Sequence, residues 1–171
     1  LMQIQSLTLS NDTDQFEAMR WPAMGEVTRI TNPITIDHTL LRQYLLPGLF
    51  RLLASNRHHE LPQAVYELGT VVRDHVNSDR FAFLVAEQNG GFAAVRGRIQ
   101  AIMRDLGATD YTIEPLGGKM GPWLTGRSAK VIVDGIHVGC FGEMDPHVGH
   151  HYELKVPLSG AEFAKPYHVC P

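Results

Sequence analysis

The sequence predicts an α+β fold built on a largely antiparallel sheet. Roughly seven or eight short segments rich in β-branched and aromatic residues are separated by turn signals, which is typical of strands. Two segments carry apolar residues at helical spacing over several turns. The pair Asp134-Gly135 separates two apolar runs and predicts an antiparallel hairpin, since both turn positions need positive φ.

Length and composition indicate one globular domain over residues 1–171. The chain has 171 residues, of which 44% are hydrophobic and 19% charged, with a formal net charge of −3. These proportions argue against disorder. The longest apolar run, residues 81–86, is far shorter than the roughly 20 residues of a membrane-spanning helix. The mildly acidic composition and the absence of a run of Lys and Arg residues argue against nucleic-acid binding by this chain alone.

The sequence also bears on location and completeness. Two cysteines are too few for a disulfide scaffold, and no basic-then-apolar leader is visible, so we expect a cytoplasmic protein. The chain opens with Leu1 instead of an initiator methionine. We therefore expect it to be a fragment of a longer protein.

The first third of the chain predicts short elements. Residues 3–9 have leucines at alternate positions and predict a strand with one wet face. Residues 10–12 offer capping oxygens to a short helix that reaches Met19. Residues 26–30 predict a second strand, which ends at Asn32-Pro33 because the residue before proline is forced into extended geometry.

The strongest helical pattern runs from Leu45 to Asn56. Leucines recur there at 3.6-residue spacing, and Pro47 suits the first helical turn. The segments that follow it are predicted as strands 63–72 and 80–87, a helix 92–106 stopped by Gly107, a strand 111–116, hairpin strands 129–133 and 136–141, a short helix opened by Asp145-Pro146, and a last strand 152–158.

Three histidines near the end of the chain raise the question of a metal site. His147, His150 and His151 lie close in sequence to Glu143 and Asp145. Zinc needs three or four converging ligands, and this spacing lacks the His-Glu-x-x-His pattern of metalloproteases. Surface histidines are the favoured interpretation, and a metal site with hydrolase activity is the alternative.

Other candidate motifs do not fit a known chemistry. Gly117-Gly118-Lys119 resembles the end of a phosphate loop, but the motif would need glycine at Ile113 and a hydroxyl at Met120. No serine has the context of a nucleophile elbow. Cys140 lies in an apolar run and is predicted to be a small core residue. Composition and spacing alone therefore stop at an α+β domain.

An ordered series of motifs nevertheless resembles one family. The series comprises Asn32-Pro33-Ile34-Thr35-Ile36-Asp37-His38, Leu41-Arg42, Leu45-Leu46-Pro47-Gly48-Leu49-Phe50, Asn56, Glu60-Leu61-Pro62, Val65-Tyr66-Glu67-Leu68-Gly69, Gly91-Phe92, Gly121-Pro122, Gly126-Arg127-Ser128-Ala129, residues 139–146, Tyr152-Glu153-Leu154 and Glu162. Together these motifs resemble the C-terminal catalytic-like region of the archaeal and eukaryotic phenylalanyl-tRNA synthetase β subunit. The resemblance covers about residues 26–163 and leaves residues 167–171 unassigned.

The resemblance implies a specific architecture and role. It implies the class II aminoacyl-tRNA synthetase fold, an antiparallel sheet flanked by helices, in a catalytically silent form. The working enzyme of that family is an (αβ)2 tetramer whose α subunit uses ATP and magnesium to charge tRNA with phenylalanine. This chain is then expected to hold no cofactor, metal or catalytic residue of its own, and to meet tRNA only through the full complex.

The residues agree with the lack of catalytic activity that the resemblance implies. Class II active sites use a Phe-Arg-x-Glu strand, whose arginine stabilises the ATP α-phosphate. If residues 64–67 are the matching stretch, Val65 stands where that arginine belongs, and valine cannot replace a guanidinium. The later strand of the family ends in Glu-Arg, and this dipeptide does not occur in the sequence.

We therefore expect a structural and assembly domain that packs against the α subunit. The helix that begins at Leu45, with His38, Arg42 and Leu49, is the predicted contact surface. The same apolar stripe also fits the core of this chain, and both interpretations are open. The alternative function is a stand-alone pseudo-synthetase that acts as a binding or regulatory module.

Overall fold

The computed structural model describes residues 1–164. The elements along these residues are strands β1 Met2–Gln3 and β2 Leu9–Ser10, a π-helical turn Thr13–Glu17, strand β3 Leu40–Leu41, helix α1 Leu46–Ser55, strands β4 Gln63–Arg73 and β5 Val76–Ala86, helix α2 Phe92–Asp105, strands β6 Tyr111–Pro115, β7 Trp123–Val133 and β8 Ile136–Met144, helix α3 Pro146–His151, and strand β9 Leu158–Ala164. Cys170 and the unassigned residues 167–171 lie outside the described residues.

Seven of these strands form one sheet, in the order β1-β4-β5-β9-β8-β7-β6. Every neighbouring pair is antiparallel except β1 and β4, which are parallel. Strands β2 and β3 pair separately. The last strand in sequence, β9, therefore lies in the middle of the sheet. The predicted α+β class, with a mostly antiparallel sheet flanked by helices, is confirmed.

Helices cover both faces of the sheet. α1 buries Leu49, Phe50 and Leu53 in one apolar core, and α2 buries Val95 and Ile99 in a second core on the opposite face. Both helices were predicted from their apolar spacing, and both are confirmed. Their amphipathic stripes place the two cores.

Two tight hairpins build most of the sheet. At Asp134-Gly135 both φ angles are positive, 50° and 76°, as the Asp-Gly signal predicts. A second hairpin joins β4 to β5 through Asp74-His75, with φ of 51° and 60°. The sequence did not indicate this turn because neither residue is glycine. The predicted strands 63–72 and 80–87 are confirmed, but they are longer than expected and directly connected.

The predicted last strand is wrong. Residues 152–158 alternate apolar and polar as a strand would, yet residues 152–157 form a turn and a loop after α3, in which Glu153 has a φ of 57°, and only Leu158 belongs to a strand. The strand itself is β9, rich in small residues. A Cβ atom on Gly160 would collide with the carbonyl oxygen of Phe83 in β5, so close strand packing selects small side chains there.

The N-terminal predictions are only partly confirmed. The strand predicted over residues 3–9 is reduced to β1 and β2, and the short helix is a single π-helical turn. The strand predicted over residues 26–30 is wrong, because the only pairing described there is a single bridge between Arg29 and Leu40. Within residues 1–164, no helix is long and apolar enough to cross a membrane.

Candidate functional site

The candidate site is built around the segment between β3 and α1. The backbone N–H of Arg42 donates to Thr8 O at 2.9 Å, and the N–H of Val72 donates to Arg42 O at 2.8 Å. The segment is therefore fixed between the N-terminal residues and β4. It carries Arg42, one of the three residues of the predicted contact surface, close to a groove at the molecular surface.

Arg42 forms an ion pair deep inside the chain. Its Nη1 lies 2.8 Å from Glu67 Oε1, and both side chains are buried. Ser6 Oγ donates to the other carboxylate oxygen of Glu67 at 2.6 Å, and Arg42 Nε donates to Thr70 O at 2.9 Å. A Cβ atom on Gly69 would lie 2.5 Å from Arg42 Nη2, so glycine gives the guanidinium its space.

A second buried carboxylate caps helix α1 from across the sheet. Glu162 in β9 accepts hydrogen bonds from the N–H groups of Leu45 and Leu46 at 3.1 and 3.0 Å. Arg80 Nε donates to the same carboxylate at 2.7 Å. The carboxylate satisfies backbone donors that the first helical turn leaves free and complements the positive end of the helix dipole.

Aromatic and amide side chains hold the segment on its other side. The ring of Tyr44 stacks on Trp21 with centroids 4.2 Å apart, and the Arg73 guanidinium lies 4.9 Å over the same tyrosine ring. Burial raises the pKa of Tyr44 to about 12. Gln15 Oε1 accepts from the N–H groups of Gln43 and Tyr44, each at 2.9 Å. These contacts make the segment rigid.

Beside this segment lies a groove of about 320 Å³. The groove is lined by Ser6, Leu7, Leu9, Ser10, Asn11, Asp14, Gln15, Asp37, His38, Arg42, Pro47, Gly48 and Arg51. We call it the Asp37 groove. It joins the N-terminal residues, the loop before β3 and the first turn of α1, which are brought together only in the folded chain.

The three residues of the predicted contact surface occupy different environments. His38 is half-buried and lines the Asp37 groove. Arg42 is buried in its ion pair, and Leu49 is fully buried in the core under α1. The side chains of this chain therefore cover Arg42 and Leu49. Contact of these three residues with another subunit stays a prediction.

The other sequence candidates are also located. Asp145 caps α3, as predicted, by accepting from the N–H of His147 at 2.9 Å. Among residues 1–164, no three His, Cys, Asp or Glu side chains converge as a group that could hold a metal ion. Burial raises the pKa of Cys140 to about 11, so its thiol is protonated at neutral pH.

Two functional-site features escaped sequence reasoning. Glu67 and Glu162 were noted only as motif positions, and their roles as buried hydrogen-bond acceptors depend on partners as far as 61 and 117 positions away. A glutamate inside an otherwise apolar strand was the available signal, because a buried carboxylate requires a partner. The Asp37 groove had no local signal.

Comparison with known proteins gives one consistent result. The family model described as the phenylalanyl tRNA synthetase beta chain CLM domain matches residues 1–164. Similar relatives are named phenylalanine–tRNA ligase beta subunit. They include proteins from Archaeoglobus fulgidus, 37% identical over 94% of this chain, Methanothrix thermoacetophila, 36% identical over 94%, and Methanopyrus kandleri, 32% identical over 95%.

The chain spans only 28–29% of the length of these three relatives. The match extends the resemblance, which began near residue 26, to the first residue of the chain. The relatives are archaeal, in agreement with the subunit type that the motifs indicated. On this evidence, the chain belongs to the family of phenylalanyl-tRNA synthetase β-chain CLM domains.

Proposed function

We propose that the chain is a noncatalytic assembly domain from the catalytic-like part of the phenylalanine–tRNA ligase β subunit. It packs against the α subunit in the cytoplasm. The α subunit then joins phenylalanine to tRNA with ATP and magnesium, and this domain meets tRNA only through the full complex. The observation that carries the proposal is a set of exposed apolar side chains at the Asp37 groove.

These side chains are Leu7, Leu9, Ile34 and Ile36, and we call them the exposed apolar set. Ile34 is 100% exposed and Ile36 is 86% exposed. Leu7 and Leu9 line the groove, and the two isoleucines lie in the loop that supplies Asp37 to it. Exposed apolar side chains on the segments that form one groove favour a protein–protein contact.

The buried charges support a structural role. Glu67 is held by Arg42 and Ser6, and Glu162 by Arg80 and two backbone N–H groups of α1. A group that acts on a substrate must be able to touch it. These carboxylates are instead enclosed, and they fix the position of α1 against the sheet.

Co-purification with the catalytic α subunit, with mass read by light scattering, tests the proposal. The wild-type chain is expected to form a stable complex. The double variant Ile34→Asp/Ile36→Asp is expected to bind at least about tenfold more weakly, because it places two charges in an apolar contact. Its melting temperature should stay unchanged, since both side chains are exposed.

Ile136→Asp is the matched control. Ile136 is 60% exposed at the tip of the β7–β8 hairpin and does not line the groove, so this change should leave α-subunit binding intact. Arg42→Ala would be a poor test, because it leaves Glu67 buried without its cation. A folded, monomeric wild-type chain that fails to bind the α subunit would contradict the assembly role and favour a stand-alone binding module.

A further inference from the structure

When Glu67, the buried partner of Arg42, is counted, the charged groups at the Asp37 groove include one carboxylate more than they include arginines. Arg42 is paired with Glu67, as described above. Arg51 Nε donates to Asp14 Oδ2 at 2.7 Å, and Arg51 Nη2 lies 2.7 Å from the same oxygen. Those two pairs are internally neutral. Asp37 is then the remaining carboxylate among the groove-lining residues.

Among the described residues, Asp37 forms only one long ion pair. Its partner is Arg51 Nη2 at 3.9 Å, which is already engaged with Asp14. The Asp37 side chain is 63% exposed. Because Arg51 is paired with Asp14, the carboxylate of Asp37 remains available to a cation from outside the chain.

Two hydrogen bonds hold the backbone of the loop at this carboxylate. Asn11 Nδ2 donates to the backbone carbonyl of Asp37 at 3.4 Å, and the N–H of His38 donates to Thr35 O at 3.2 Å. Asn11 is itself buried and bonded to Asp14. A partner would therefore lose little free energy in ordering the loop.

The walls of the groove define the rest of the ligand. Leu7, Leu9 and Pro47 supply apolar surface, and about 320 Å³ gives room for one long side chain. Lysine and arginine combine a charged head with an aliphatic stem that packs on such surface. The negatively charged phosphates of a nucleic acid would instead be repelled by the carboxylate of Asp37.

We propose that the Asp37 groove receives one basic side chain of the α subunit, whose head pairs with Asp37 and whose stem packs on Leu7 and Leu9. This inference rests on the proposed assembly function. Arginine suits the site best, because its planar fork binds a carboxylate through two parallel hydrogen bonds. Ile34 and Ile36 precede Asp37 in the same loop and add exposed apolar surface to the segment that carries it.

The test measures the dissociation constant for the α subunit at several salt concentrations. Asp37→Asn is expected to weaken binding about tenfold and to reduce its salt dependence, and Asp37→Lys to weaken it further. Asp105→Asn is the matched control, because Asp105 is also exposed, 76%, with its arginine at 3.7 Å, but lies at the end of α2. It should bind as the wild type does.

Charge reversal in the partner then identifies the basic residue. When surface arginines and lysines of the α subunit are changed singly to glutamate, one variant should restore binding of the Asp37→Lys chain. Equal binding of wild type and Asp37→Lys would overturn the inference and leave the assembly role standing. Failure of the wild-type chain to bind the α subunit would overturn both. Unchanged melting of the Asp37 variants confirms that they are folded.

Discussion

The two faces of the seven-stranded sheet differ in how deeply they bury the carboxylates beside their helices. On the face that meets α1, the carboxylates of Glu67 and Glu162 are buried beside arginines, and one of them caps the helix. On the face that meets α2, the buried core is aliphatic and aromatic, with Phe83 and Phe141 at its centre. Both helices pack on an apolar core and meet a carboxylate at their first turn. The carboxylates beside α1 are buried, whereas Glu143, which accepts from the N–H of Phe92 at 2.7 Å, is only partly buried and pairs with the exposed Arg127.

This difference has consequences for specificity. Apolar packing tolerates exchange among side chains of similar volume. Buried hydrogen bonds to charged groups do not, because any unpaired partner retains its desolvation cost. The α1 face also borders the Asp37 groove. The face with the buried ion pairs is therefore the one that positions the proposed contact surface.

Removing the carboxylate of Glu162 should have the largest effect. Glu162→Ala leaves Arg80 without its buried partner and two N–H groups of α1 without an acceptor, so we expect a loss of about 3–5 kcal/mol in the free energy of unfolding. Urea denaturation measures it. Glu153→Ala removes an exposed carboxylate paired with Arg57 and should cost less than about 1 kcal/mol. Similar losses of unfolding free energy for the two variants would contradict the distinction between the buried and the exposed carboxylate.

Replacing both members of the Arg42–Glu67 pair should be milder than replacing one. Glu67→Leu alone leaves a buried guanidinium uncompensated, whereas Arg42→Met with Glu67→Leu makes this part of the α1 face resemble the α2 face. We expect the double variant to be about 2 kcal/mol more stable than the single one, from urea midpoints of both. Additive losses would show that the pair is not coupled.

The α2 face should respond to volume and polarity separately. Ile99 is fully buried in α2, and Ile99→Val is expected to cost about 0.5–1.5 kcal/mol. Ile99→Thr keeps the shape of valine but adds a hydroxyl to an apolar core, so it should cost about 1 kcal/mol more. Thermal unfolding of the two variants compares them. Equal stability would mean that the hydroxyl finds a partner.

The smallest expected effect concerns pH and Asp145. Burial alone would raise the pKa of this carboxyl, but hydrogen bonds from Arg20 and from the His147 N–H bring it below its ordinary value of 3.8. Its stabilisation is therefore complete above that value and is lost as pH falls through the lower, folded-state pKa.

Asp145→Asn keeps a capping oxygen on α3 but does not titrate. The stability difference between wild type and this variant should narrow as urea midpoints are measured from pH 6 down to pH 3. Asp105→Asn, which alters a carboxylate away from α3, serves as the control. A constant difference across that pH range would mean that Asp145 contributes through its shape alone.

The regular half of the molecule was predictable because its signals are local. Apolar spacing located α1 and α2, and Asp134-Gly135 located a hairpin. Asp74-His75 gave no such signal, although both of its residues also have positive φ angles. Contacts with distant residues stabilise this turn, such as the hydrogen bond that the N–H of Glu26 donates to Asp74 Oδ1 at 2.7 Å.

The site was harder to predict than the fold. The motif order led to the family. The structure places His38, one of the predicted contact residues, at the Asp37 groove. The exposure of Ile34 and Ile36 and the unbalanced charge of Asp37 depend on which distant residues meet, and one chain gives no local pattern for that. Arg42 and Leu49 are buried by contacts that long-range folding alone creates.

The central position of β9 bears on how the chain is made. During synthesis, the β4–β5 hairpin and the β7–β8 hairpin can each form before β9, the strand that joins them, leaves the ribosome. Until residue 162 arrives, α1 lacks its cap, which comes from 117 positions beyond Leu45. The two half-sheets present unpaired edges during this interval, when they are most open to aggregation. The seven-stranded sheet is thus joined into one only when β9 is added.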